Sequence, residues 1–114
     1  MEFLTRLFGP SIQSVNAHRV DEKLKGNKRP FLVDVREPHE YKSGHIAGAK
    51  LIPLGELSAR IKELPKDKEI ICICATGNRS TSATKMLVGS GYNALNAAGG
   101  MMAWRQAGFP IKKA

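Results

Sequence analysis

The chain has 114 residues, 42% of them hydrophobic and 25% charged, with a formal net charge of +8. That size and balance fit one ordinary globular domain and exclude a disordered or fibrous chain. No apolar run approaches the ~20 residues of a membrane span, and two cysteines make no disulfide framework. Residues 1–10 lack the basic start, long apolar stretch and small-residue cleavage site of a signal peptide, so a cytoplasmic protein is expected. The charge is unevenly spread. Residues 70–114 hold Arg79, Lys85, Arg105, Lys112 and Lys113 and no acid, which reads as a solvated surface, with a field that draws anions as the alternative. The basic residues are scattered and lack interleaved aromatics, so no nucleic-acid partner is expected.

Strand and helix signals alternate along the chain, which predicts an α/β domain on a largely parallel sheet. Residues 11–15 read as a short strand. Ala17, Val20 and Leu24 form a helical stripe that Gly26 and Asn27 can end. Phe31-Leu32-Val33 reads as a buried strand ending at Asp34. Residues 37–42 read as a helical turn closed by Gly44, and residues 49–52 as a brief strand. Leu54, Leu57, Ile61 and Leu64 recur at helical spacing up to Pro65. The strongest strand is Glu69-Ile70-Ile71-Cys72-Ile73-Cys74, apolar and uninterrupted as a central parallel strand should be. Residues 75–79 read as a polar loop, and a helix is expected from Ser80 to Gly89. Residues 92–95 read as a weak strand. A last helix opens at Gly99-Gly100 and stops before Gly108 and Pro110, and its Met101, Met102 and Trp104, like Met86, are assigned to the core.

The segment that carries chemistry is Cys74-Ala75-Thr76-Gly77-Asn78-Arg79-Ser80. It lies at the carboxyl end of a parallel strand, where open α/β sheets bind ligands. The following helix start offers unpaired amides and partial positive charge, which suit an anion and favour a thiolate. A short loop with Gly77 can curl its N–H groups inward as an anion nest. Cys74 at its mouth is a candidate nucleophile, with a buried inert thiol as the alternative. Cys72 lies ~6.6 Å away along the strand, at the edge of disulfide reach, and reads as a core residue, with a resolving thiol as the alternative. The cysteines and the dispersed histidines make no zinc pattern, and no cofactor motif is present.

Several motifs occur in order: Val33-Asp34-Val35-Arg36-Glu37, Gly44-His45-Ile46-Ala47-Gly48-Ala49, Ile52-Pro53, Cys74-x-x-Gly77-Asn78-Arg79-Ser80, and Gly99-Gly100 with Trp104. Together the chain resembles a single-domain rhodanese, a sulfurtransferase, over residues 11–110. Residues 1–10 are left as a segment of unknown role and 111–114 as a short basic tail. The resemblance implies an α/β fold with a mostly parallel five-stranded sheet flanked by helices on both faces. It implies that Cys74 takes a sulfane sulfur from a donor such as thiosulfate and passes it to cyanide, a thiol, a thioredoxin-like protein or a sulfur-carrier protein. Residues Ala75, Thr76, Gly77, Asn78, Arg79 and Ser80 would bind the substrate, with Arg79 on the donor's anionic end. Asp34 and Arg36 would support the rim through an Asp–Arg network, and Trp104 is a candidate pocket wall. No base is needed by an already ionised thiolate, so His45 reads as structural and His18 and His39 as surface residues. No cofactor, metal or membrane is implied, and a monomer is expected. Cysteine phosphatases on a similar fold use Cys-x5-Arg; the Cys-x4-Arg spacing here makes a tighter ring that suits one sulfur atom. The alternatives are a non-catalytic binding module and, further off, a phosphatase or arsenate reductase.

Overall fold

The computed structural model describes residues 11–113, so the segment 1–10 lies outside the described residues. Five strands form one sheet: β1 (Gln13–Val15), β2 (Phe31–Asp34), β3 (Lys50–Leu51), β4 (Ile70–Ile73) and β5 (Ala94–Ala97). Their order is β1-β5-β4-β2-β3, and every pairing is parallel. The helices are α1 (Ala17–Lys25), α2 (Pro38–Ser43), α3 (Leu54–Arg60), α4 (Asn78–Gly89) and α5 (Gly100–Gln106). Among the described residues no helix is long and apolar enough to cross a membrane.

The central strand explains the two-layer core. β4 is buried along its whole length, and alternation sends its side chains to opposite faces. Ile70, Cys72 and Cys74 join Leu57, Ala83 and Leu87 on the α3–α4 side. Ile71 and Ile73 join Val20, Leu24, Met101 and Trp104 on the α1–α5 side. A parallel sheet covered on both faces needs such continuous apolar strands.

Several boundaries differ from the sequence expectations. The helix after the cysteine loop starts at Asn78, not Ser80, because Gly77 turns left-handed (φ 109°) and caps it. The helix expected from Leu54 to Leu64 ends at Arg60 and tightens into a 3₁₀ turn, Ile61–Glu63. The weak strand expected over residues 92–95 lies at Ala94–Ala97. Tyr92 instead closes the end of α4, its N–H donating to Leu87 O at 3.0 Å. Met102 is not core: it is 49% exposed, whereas its neighbour Met101 is 3% exposed. Successive helical residues point about 100° apart, so one faces the sheet and the other the solvent. Beyond the expected domain end, Lys112 exchanges two backbone hydrogen bonds with His45, at 2.9 and 2.7 Å.

The start of α5 pins the cysteine loop. Met101 N–H donates to Cys74 O at 2.8 Å, and Met102 N–H to Ala75 O at 3.0 Å. This approach requires a glycine at position 100, where φ is +54° and a Cβ would come within 2.7 Å of the Ala75 carbonyl. Gly100→Ala is therefore expected to destabilise by about 1–2 kcal/mol from the left-handed backbone and about 1–3 kcal/mol more from the collision. Gly108→Ala is the control: φ is +80° but nothing lies within 4 Å, so only the backbone term applies. Denaturant midpoints of the two variants measure the difference, and equal losses would remove the collision argument.

Candidate active site

The site begins where β4 ends. Cys74 is the first residue past the strand, and the chain from Ala75 to Gly77 curls back over its sulfur. Gly77 N–H donates to Cys74 Sγ at 3.1 Å and Ser80 N–H at 3.3 Å. Ser80 Oγ lies 3.3 Å from the same sulfur. The loop amides thus converge on Sγ as the glycine and the helix start predicted. Burial pushes the thiol pKa up, but hydrogen bonding from Ser80 and from the Gly77 and Thr76 amides outweighs it, and the net direction is downward. The electrostatic work is done by donors of the loop and of the first turn of α4, and Cys74 is 1% exposed.

Cys72 has the opposite environment. It is fully buried and free, and burial raises its thiol to about 12. This is the core residue expected, with a thiol held protonated at neutral pH.

Ser80 is buried in the first turn of α4, where its hydroxyl donates to Asn96 Oδ1 at 2.6 Å. Asn78 and Thr76 are exposed, and Ala75 is half-buried. Arg79 is half-buried and does not point freely to solvent. It makes a fork-like pair with Glu40, Nη1 to Oε1 at 2.7 Å and Nη2 to Oε2 at 2.9 Å. Glu40 was missed in the sequence because it lies 39 positions away. Its one local signal was its place three residues after Glu37: Glu37 N–H donates to Glu40 Oε1 at 3.0 Å in a capping box that opens α2.

The Arg79 guanidinium holds the Glu40 carboxyl down at about 2, from an ordinary 4.5. A depressed carboxylate pKa stabilises the fold above its unfolded value, and the gain is lost as pH falls through the folded value. The stability difference between wild type and Glu40→Gln is therefore expected to be constant above about pH 4.5 and to fade toward about pH 2. A difference unchanged across that window in acid-titrated denaturation curves would exclude the pair as its source.

Asp34 and Arg36 form the expected network at the neighbouring strand end. Arg36 Nε donates to Asp34 Oδ1 at 2.9 Å and Nη2 to Oδ2 at 2.8 Å, with a further bond from Nη2 to Gly44 O at 2.8 Å. Both side chains are buried, so the pair braces the turn carrying α2, and with it Glu40. His45 is structural in its contacts: its ring stacks on Tyr41 with centroids 3.7 Å apart, and Nδ1 lies 2.8 Å from Tyr41 O. His18 and His39 are exposed.

Trp104 does not wall this site. It belongs to the core layer on the other side of the sheet, and its Nε1–H donates to Pro110 O at 2.9 Å. Its place on α5 turns it away from the loop that the same helix's first amides hold. Among the described residues no cluster of metal-ligating side chains occurs.

The fold is shared with known proteins. The family profile of the rhodanese-like domain matches residues 16–107. The chain belongs to the rhodanese-like family. A protein of Allochromatium vinosum named a sulfurtransferase is 33% identical to this rhodanese-like domain over 101 residues, covering 88% of this chain and 94% of its own. The crystal structure of a rhodanese-related protein from Thermoplasma volcanium superposes with a TM-score of 0.82 at 38% identity, covering 88% of this chain and 97% of that one. A rhodanese-like domain protein from Staphylococcus aureus gives a TM-score of 0.78 at 33% identity, covering 82% and 91% of the two chains. The rhodanese-like fold expected from the sequence is thereby established, and the relative named a sulfurtransferase supports a rhodanese-like sulfurtransferase family.

Proposed function

We propose that this rhodanese-like domain is a cytoplasmic sulfurtransferase that carries a sulfane sulfur as a persulfide on Cys74. The observation that carries the reading is the convergence of the Gly77 and Ser80 amides on Cys74 Sγ. Those donors favour the thiolate, which is the attacking species. Cys74 attacks the outer sulfur of a donor such as thiosulfate; the new S–S bond forms as sulfite leaves. A thiophilic acceptor, whether cyanide, a thiol, a thioredoxin-like protein or a sulfur-carrier protein, then takes the outer sulfur and releases the thiolate. No proton donor is required in either half, which agrees with the structural role of His45.

Arg79 serves the donor's anionic end in this reading, positioned by Glu40. A guanidinium has five N–H donors, and Glu40 takes two of them, which leaves three. Because Glu40 offsets the charge, Arg79→Ala is expected to lower kcat/KM for thiosulfate by roughly tenfold, the lower end for a charge-assisted bond. A neutral persulfide donor should lose much less. Equal losses with both donors would mean that Arg79 acts on the loop and not on the donor.

The burial of Cys74 favours one other reading, a domain that docks a partner without catalysis. Intact-mass measurement after thiosulfate treatment decides between them. Sulfur transfer requires a gain of one sulfur atom that cyanide reverses; an unchanged mass leaves the docking module.

A further inference from the structure

The Ser80 hydroxyl has one proton and two claimants. Asn96 Oδ1 lies 2.6 Å from Ser80 Oγ, and Cys74 Sγ lies 3.3 Å from it. A serine hydroxyl can donate to only one of them at a time. Asn96 is buried on β5 in register with Cys72 of β4. Its amide is held from behind, Nδ2 donating to Ser14 Oγ on β1 at 3.1 Å, so the carbonyl oxygen is the end that faces Ser80. Turning the hydroxyl toward the sulfur would leave Oδ1 as an unpaired buried acceptor, which is costly.

We propose that Asn96 is a positioning residue that draws the Ser80 proton away from the Cys74 thiolate. The loop amides then carry the thiolate, and its charge is less quenched than it would be with the hydroxyl bonded to it. A less stabilised thiolate is a stronger nucleophile, since nucleophilicity rises with thiol basicity by about half the change in log acidity. The sequence distance explains why no motif reveals the residue: Asn96 sits 16 positions from Ser80 and 82 from Ser14. The inference rests on reading Cys74 as the nucleophile.

The test reads thiol reactivity against pH with methyl methanethiosulfonate. The thiolate attacks its sulfenyl sulfur, a mixed disulfide forms and methanesulfinate leaves. Cys72 is silent, since burial holds its thiol up at about 12. The titratable groups that couple to the sulfur are Arg79 on α4 and Cys72 on β4, with Glu40 on α2 paired to Arg79; none is altered. Asn96→Ala releases the hydroxyl to the thiolate. One charge-assisted bond is about tenfold in thiolate fraction, of which about half in log terms is lost as nucleophilicity. The variant should therefore react about threefold faster on the acid limb and about threefold slower on the alkaline plateau. In a Ser80→Ala background Asn96→Ala should change neither limb. Asn96→Asp, which keeps an acceptor in place, should not speed the acid limb.

A profile that does not cross that of wild type, or a crossing that persists without the Ser80 hydroxyl, overturns the proposal. A general loosening of the fold would move both limbs in one direction and would also overturn it. The readout needs no sulfur transfer. Full thiol reactivity with no sulfur uptake would defeat the proposed function and leave the role of Asn96 standing.

Discussion

Cys74→Ser is expected to lose sulfur uptake by roughly a thousandfold or more while the fold survives. A hydroxyl is far less ionised than a thiolate at neutral pH and cannot hold a persulfide. The fold should tolerate the change because the new hydroxyl inherits partners already aimed at Sγ, the Gly77 and Ser80 amides and Ser80 Oγ. Intact mass after thiosulfate treatment checks the loss, and a far-ultraviolet melt checks the fold. A serine variant that gained sulfur as wild type does would remove Cys74 from the mechanism. Cys72→Ser provides the contrast, since a buried thiol raised to about 12 should contribute little to turnover.

Arg36→Ala is expected to cost about 3–5 kcal/mol, because it leaves the Asp34 carboxylate buried without its partner. Asp34 is 0% exposed and Arg36 3%, so the carboxylate has no bulk solvent contact to replace its partner. The Gly44 carbonyl loses its donor as well. For a domain of this size the melting temperature should fall by roughly 12–25 °C, a large part of an ordinary stability. Replacing the pair together, Asp34→Leu with Arg36→Met, should cost clearly less than Arg36→Ala alone, since no charge is left stranded. Denaturant curves of the single and double variants provide the check. If the double variant is the less stable of the two, stranded charge is not the source of the loss. Sulfur uptake by the single variant, measured below its melting point, should also fall, because the turn that places Glu40 beside Arg79 hangs from this pair.

The sequence by itself determined the elements whose causes are local. β4 is legible because the five consecutive residues from Ile70 to Cys74 are apolar and nothing interrupts them. The loop after it is legible because Gly77 permits a left-handed turn, and the cysteine before it and the helix after it follow from adjacency alone. The Asp34–Arg36 pair spans two positions and was expected from the family resemblance. The remaining features are set by residues that are not neighbours in sequence. β5 is alanine-rich, so its bounds are set by pairing with Cys72 and Ser14 across the sheet and not by propensity. Met101 and Met102 are chemically alike, and only the docking of α5 against the loop decides which one is buried. Glu40 reaches Arg79 across 39 positions, and Asn96 reaches Ser80 across 16. The strand order β1-β5-β4-β2-β3 creates both meetings by laying β5 and β2 on either side of β4, whose carboxyl end carries the cysteine. Backbone propensity and glycine geometry act over a few residues, so they placed the nucleophile. The groups that tune it meet only when the sheet assembles, because hydrogen bonds act over about 3 Å in space whatever the separation along the chain.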